Sequence, residues 1–207
     1  MSVAEATALP APRSATPFLG RLVRWGLAAA LIAWCVAALV HAESFRHLEA
    51  RIAGWATSLL FSREVRLMTY EPVIVFERVA GDDATWFGLR ITPSCSALYF
   101  LVPLALVAAF VLVTGRAGIG RIAVATLTTA AFLELLNVVR VEVMVLAVTR
   151  WGTEVFDWVH DTLGSALMLG GFTVALVFFF RLGFFGRRGA RSARRAHHGD
   201  ARDGDAS

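Results

Sequence analysis

Residues 119–148 read IGRIAVATLTTAAFLELLNVVRVEVMVLAV. This apolar run of about 30 residues would extend roughly 45 Å as one straight helix. A bilayer's hydrocarbon core is about 30 Å thick, so such a helix must tilt, kink or protrude. Its polar residues are few and placed with a period. Glu134, Asn137 and Arg140 follow at three-residue steps and fall near one helix face, while Glu142 points to the opposite side from Arg140. A charge between Val139 and Val141 costs several kcal/mol in lipid unless it is paired or wetted. Two readings of the strip stand open. One is an ion pair of Arg140 with Glu134 or with a neighbouring helix, and Asn137 as helix–helix glue. The other is a wet or substrate-facing surface.

Three more apolar runs flank this one, at residues 22–40, 97–114 and 163–180. With 57% hydrophobic residues and a mean hydropathy of +0.63, the chain exceeds the 45–50% typical of soluble domains. The expected fold is an all-α integral membrane protein with about four transmembrane helices. Residues 1–20 and the Arg-rich 183–207 read as disordered, and 21–182 as one polytopic membrane domain. Val40-His41-Ala42 resembles a small-residue cleavage site. The run before it is long enough to span, so an uncleaved helix is the preferred reading. The outer segment 41–96 carries Phe45, Leu48, Ile52, Trp55 and Leu59 at three- and four-residue steps, with Arg46, Glu49 and Arg51 off that stripe. That pattern predicts an amphipathic helix on the membrane surface. The β-prone stretches 73–79 and 86–91 around Gly81-Asp82-Asp83 predict a short hairpin leading into Thr92-Pro93-Ser94-Cys95.

Charge placement sets the expected topology. The net charge is +4, and all twenty basic residues are Arg. Six of them crowd between Arg181 and Arg195, just after the last apolar run, and Arg116 and Arg121 sit between the second and third runs. Both groups, with Arg13, Arg21 and Arg24, argue for the cytoplasmic side and against nucleic-acid binding. Both termini then lie inside. Cys95, opening the second span, and His160, just before the fourth, both lie outside. Arg140 stands 19 residues beyond Arg121, about 28 Å along a helix, and so reaches the outer surface as well.

Those three residues supply a nucleophile, an acid/base and an oxyanion holder. A cysteine attacks carbonyls as its thiolate, a neighbouring histidine can take and return the proton, and an arginine stays charged at any working pH. Each also has a plainer reading, as a small semi-apolar residue, an interfacial side chain and an ion-pair member. Asp157 and Asp161 flank His160 and can orient its ring or cap the last helix. The two cysteines, Cys35 and Cys95, form no disulfide framework. His197 and His198 read as tail residues and not as a metal site. No phosphate loop, zinc or haem motif is present, so no cofactor and no metal are expected.

Cys95-Ser96-Ala97 opening a span, Asn137-Val138-Val139-Arg140 late in a span and His160-Asp161-Thr162-Leu163-Gly164 opening the last span resemble the exosortase/archaeosortase family. The resemblance covers roughly residues 70–180 and matches the family's short form. It implies a membrane cysteine transpeptidase-like sorting enzyme, with Cys95 as nucleophile, Arg140 as oxyanion or substrate-binding group and His160 as acid/base. Ser96 and Asp161 support them, and Asn137 and Gly164 match positions that look structural. It also implies substrate proteins that carry a short C-terminal motif, a hydrophobic helix and a basic tail. The family commonly shows Cys-Ser-Gly, and here Ala97 stands for the glycine, which bears on tight backbone packing at that point. The expected function is a sorting enzyme in the cell membrane that cleaves, and transfers, such substrates through a Cys thioester. The rivals are an intramembrane cysteine protease that only hydrolyses and a non-enzymatic membrane scaffold. A small transporter is weaker, because no inverted repeat is visible.

Overall fold

The computed structural model describes residues 16–61, 64–80 and 83–184. Residues 1–15, 62–63, 81–82 and 185–207, His197 and His198 among them, lie outside the described residues. In chain order come α1 (Thr16–Val40), α2 (Ala42–Phe61), β1 (Val65–Leu67), β2 (Val73–Ala80), β3 (Asp83–Arg90), a single 3-10 turn (Pro93–Cys95), α3 (Leu98–Thr114), α4 (Ile119–Trp151), α5 (Thr153–Trp158), a π turn (Val159–Leu163) and α6 (Gly164–Phe184). Residues 16–20 and 183–184, expected as disordered, belong to α1 and α6. Pro17 follows Thr16 at the helix start, where a missing N–H costs nothing and the fixed φ suits the first turn.

Among the described residues, two helical segments, Phe18–Val40 and Val155–Phe184, are long and apolar enough to cross a bilayer, where four spans were expected. The α3 helix is apolar but has 17 residues. The α4 helix has 33 residues, about 50 Å of rise, and carries Arg121, Glu134, Arg140, Glu142 and Arg150 along it. The α1 helix packs along α3, α3 against α4, and α4 against α6. Their shared core includes Leu104, Ala108 and Leu112 of α3, Ile122, Ala125 and Leu133 of α4, and Ala175 and Phe179 of α6. Arg24 Nη1 donates to the Ala117 carbonyl at 2.9 Å, tying α1 to the α3–α4 loop.

The far half of α4 enters a second core. Val141, Met144, Val145 and Val148 meet Ala50 and Ala53 of α2 and Ile74, Phe76, Leu89 and Ile91 of the sheet and its exit. The sheet order is β1-β2-β3, all antiparallel, with Val65 opposite Phe76, Ile74 opposite Leu89 and Phe76 opposite Phe87. The expected hairpin is β2–β3. The three-residue β1 was too short to leave a period-two pattern in the sequence. Ile74 and Phe76 lie inward, while on the outer face the Arg66 guanidinium sits 4.5 Å from the Trp86 ring centre.

The α2 helix forms where periodicity placed it, but the face it turns to the protein is not its apolar stripe. Leu48, Ile52, Trp55 and Leu59 are exposed, and Glu49, Ala50, Ala53, Gly54, Ala56 and Thr57 are buried. Small side chains let α2 lie close to α4, and that close approach selects the packed face. Thr57 Oγ1 donates to both Glu142 carboxyl oxygens, at 2.9 and 3.1 Å, and both residues are buried. Glu142 thus pairs across α2 and not with Arg140, as its helix position implied. Thr57→Val keeps the shape and removes the donor. It should lower stability by about 1–3 kcal/mol, read as a lower thermal midpoint in detergent; an unchanged midpoint would show that the bond contributes nothing.

Candidate active site

The two cores meet at a polar seam, and Cys95, Ser96, Asn137 and Arg140 are buried along it. Cys95 belongs to the outer core and Ala97, two residues on, to the bundle core. On α4 the seam falls between Leu133 and Val141, where Asn137 and Arg140 are both buried.

Cys95 ends the 3-10 turn that β3 feeds through Ile91 and Thr92. Its side chain is 3% exposed, and its Sγ lies 2.8 Å from His160 Nε2. The opposite ring nitrogen, Nδ1, lies 2.8 Å from Asp161 Oδ1. A proton on Nδ1 donated to Asp161 leaves the Nε2 lone pair facing the thiol, the arrangement a general base requires. Asp161 is 80% exposed, so its hold on the ring acts through water's high dielectric. The Phe156 ring, one helical turn earlier, lies 5.6 Å from the imidazole centre. His160 sits within the π turn Val159–Leu163, and Gly152 (φ 85°) turns the chain back from α4 toward it. That backbone region strains any residue with a Cβ.

Arg140 is 3% exposed, and its partners are backbone carbonyls. Nη1 donates to Ser94 O at 2.8 Å, and Nη2 reaches His160 O at 3.5 Å. No salt bridge to it is found among the described residues. The ion-pair reading with Glu134 is therefore not what the fold adopts. The guanidinium touches the segments that bear both Cys95 and His160. Gly164 makes room for it, since a Cβ there would lie 2.5 Å from Arg140 Nε.

Asn137 Nδ2 donates at 3.1 Å to Glu49 Oε1, which also accepts the Ala97 N–H at 2.7 Å. Glu49 is the residue that sequence reasoning missed. Its signal was present, because it shares a face with Ala50, Ala53, Ala56 and Thr57, but the larger apolar stripe drew attention to the other face. Burial pushes its carboxyl up to about 7, against the pull of the Ser96 hydroxyl and the Ala97 N–H, and the Glu134 carboxyl adds to the rise. Ser96 is buried, and its hydroxyl accepts the Leu98 N–H at 3.3 Å. Ala97 is fully buried with φ −64° and ψ −19°, ordinary right-handed backbone that does not need glycine.

A shallow cavity of about 370 Å³ is lined by Pro93, Ser94, Ser96, Tyr99 and Phe100, residues that flank Cys95 in the chain. Asp157 is exposed. Cys35 is buried on α1, and both cysteines are free. No group of three or more His, Cys, Asp or Glu that could hold a metal occurs among the described residues.

A helical membrane protein with a buried cysteine against a half-buried histidine, beside a buried arginine, defines the class. Residues 84–181, which hold all three, match the family described as transmembrane exosortase (Exosortase_EpsH). Over these residues, just under half of the chain, the protein is similar to that transmembrane family. No curated protein and no solved structure matches the chain.

Two outcomes follow from this geometry. Gly164→Ala should displace the guanidinium and lower processing about tenfold or more, with the protein still present in the membrane; wild-type processing would show that Arg140 tolerates the shift. Glu49 has its folded pKa raised above the ordinary 4.5. Its contribution to stability is therefore fully present below about 4.5 and is lost as the pH rises through about 7. The thermal midpoint should fall between about pH 5 and about pH 8, and fall less in Glu49→Gln. Equal losses in the two proteins would contradict the assignment.

Proposed function

We propose that the chain is a sorting transpeptidase of the exosortase type, in the cell membrane with four crossings, both termini cytoplasmic and the site on the outer face. Cys95 is the nucleophile, His160 the acid/base and Arg140 the oxyanion or substrate-binding group. The observation that carries this reading is the 2.8 Å contact between Cys95 Sγ and His160 Nε2, made by residues 65 positions apart and beside a buried Arg140. A scaffold has no need for that convergence.

The substrate is a protein with a C-terminal hydrophobic helix and a basic tail. Its scissile peptide bond lies just outside that membrane anchor and reaches Cys95 by way of the cavity at Ser94, Ser96 and Tyr99. His160 Nε2 takes the thiol proton as Sγ bonds to the carbonyl carbon, and the carbonyl electron pair moves onto oxygen. The backbone donors nearest Cys95 are already engaged. Cys95 N–H donates to Thr92 O, Ser96 N–H to Pro93 O and Ala97 N–H to Glu49, at 2.9, 3.2 and 2.7 Å. The oxyanion therefore falls to Arg140, whose charge is permanent. The C–N bond then breaks as His160 returns the proton to the leaving amine, and a thioester remains on Cys95. A second nucleophile attacks that carbonyl, breaks the C–S bond and releases the product with the thiol restored. An amine acceptor gives transfer and water gives hydrolysis, so product mass separates the two.

The reading is tested by comparing protein C-termini, by mass spectrometry, from cells carrying the wild-type protein or Cys95→Ser at matched abundance. One or more membrane proteins should keep an uncut C-terminal helix and basic tail only with Cys95→Ser. Identical termini, with candidate substrates expressed, would move Cys95 to a structural role. Asp161→Asn should slow processing only modestly, about two- to tenfold, because its carboxylate is solvated; a loss as complete as that of Cys95→Ser would make Asp161 a full partner of the pair.

A further inference from the structure

Glu49 lies outside the matched residues 84–181 and on a different helix from the Cys, Arg and His. It is nonetheless joined directly to the nucleophile's turn. Ser94, Cys95, Ser96 and Ala97 are held at both ends. At Ser94 the carbonyl accepts Arg140 Nη1, and at Ala97 the N–H donates to Glu49 Oε1. Both holds are anchored on α4, three residues apart, because Asn137 Nδ2 donates to the same Glu49 oxygen. Glu49 is 3% exposed, Ala97 0% and Asn137 2%, so water cannot substitute for the carboxyl. Its second oxygen, Oε2, and Asn137 Oδ1 are buried without partners among the described residues. A carboxyl kept at that cost for chain stability alone would be replaceable by a hydrocarbon.

We infer that Glu49 is a positioning residue, which clamps the first turn of α3 to α4 and thereby sets Cys95 Sγ on His160 Nε2. This rests on the Cys95–His160 reading above. Without the clamp, Ala97 loses its acceptor, the segment after Cys95 is free to shift, and the thiol leaves the imidazole. A side chain with an oxygen at the Oε1 position is sufficient, so Gln serves and a hydrocarbon of equal length does not.

The test reads the Cys95–His160 contact without needing the substrate. In a Cys35→Ala background of the full-length protein in detergent, the rate of Cys95 alkylation by iodoacetamide is measured with and without His160→Ala. The two measurements are repeated in Glu49→Gln and in Glu49→Met. With Glu49 or Glu49→Gln, removing His160 should slow alkylation about tenfold. With Glu49→Met the same removal should change the rate by no more than about twofold, because the pair is already separated. Should Glu49→Met fail to accumulate, Glu49→Asp, one methylene shorter, carries the same cycle, with the His160 effect again reduced. A His160 effect of equal size in wild type and in Glu49→Met, or in Glu49→Asp where that variant is used, overturns the positioning role and leaves the catalytic pair standing. A His160 effect absent already with Glu49 in place overturns the Cys–His reading, and the clamp with it.

Discussion

A permanent positive charge buried between two apolar cores is the constraint on which the arrangement depends. Arg140 cannot shed its proton, and removing it from water is tolerable only where fixed acceptors replace the solvent. The carbonyls of Ser94 and His160 fill that role, at 2.8 and 3.5 Å. The first adjoins Cys95 and the second is His160's own. Meeting the needs of the guanidinium therefore brings the segments of Cys95 and His160 together. Breaks in regular helix at both places make it possible, the 3-10 turn before α3 and the π turn before α6.

The length of α4 explains why the seam exists. At about 50 Å it is too long to be buried in one layer. Its first half packs in the helical bundle, and its second half carries the α2 helix and the three-stranded sheet. The change of partner occurs along the turn that bears Asn137 and Arg140. Polar groups concentrate there because neither core has to enclose them alone. The sheet, in turn, delivers Cys95 to the seam through Ile91, whose N–H donates to Pro72 O at 2.8 Å and whose side chain is buried in the outer core.

Glu49 extends the same logic to a third element. It joins α2 to the start of α3 and to α4 through one oxygen. The cost is a carboxyl in a poorly solvated place, which shows as its upward pKa. The α2 helix thus gains a link to the turn that bears Cys95, while its exposed stripe of Leu48, Trp55 and Leu59 faces away from the protein.

The sequence by itself determined the helical runs, the α2 helix, the β2–β3 hairpin, and Cys95, Arg140 and His160 as the residues to examine. Hydrophobic length and period report what a segment must bury, and a charge in an apolar run reports an unmet need. Only the tertiary structure decided how those needs are met. Arg140 found backbone carbonyls where an ion pair was the alternative, because carbonyl positions depend on turns that no side-chain pattern encodes. The α2 helix turned its small residues inward because close approach to α4 outweighed the larger apolar stripe. For the same reason Glu49, an ordinary acidic residue in a surface-helix pattern, became buried beside the turn that bears Cys95: its place depends on which face was packed, and packing is settled only when all the elements meet.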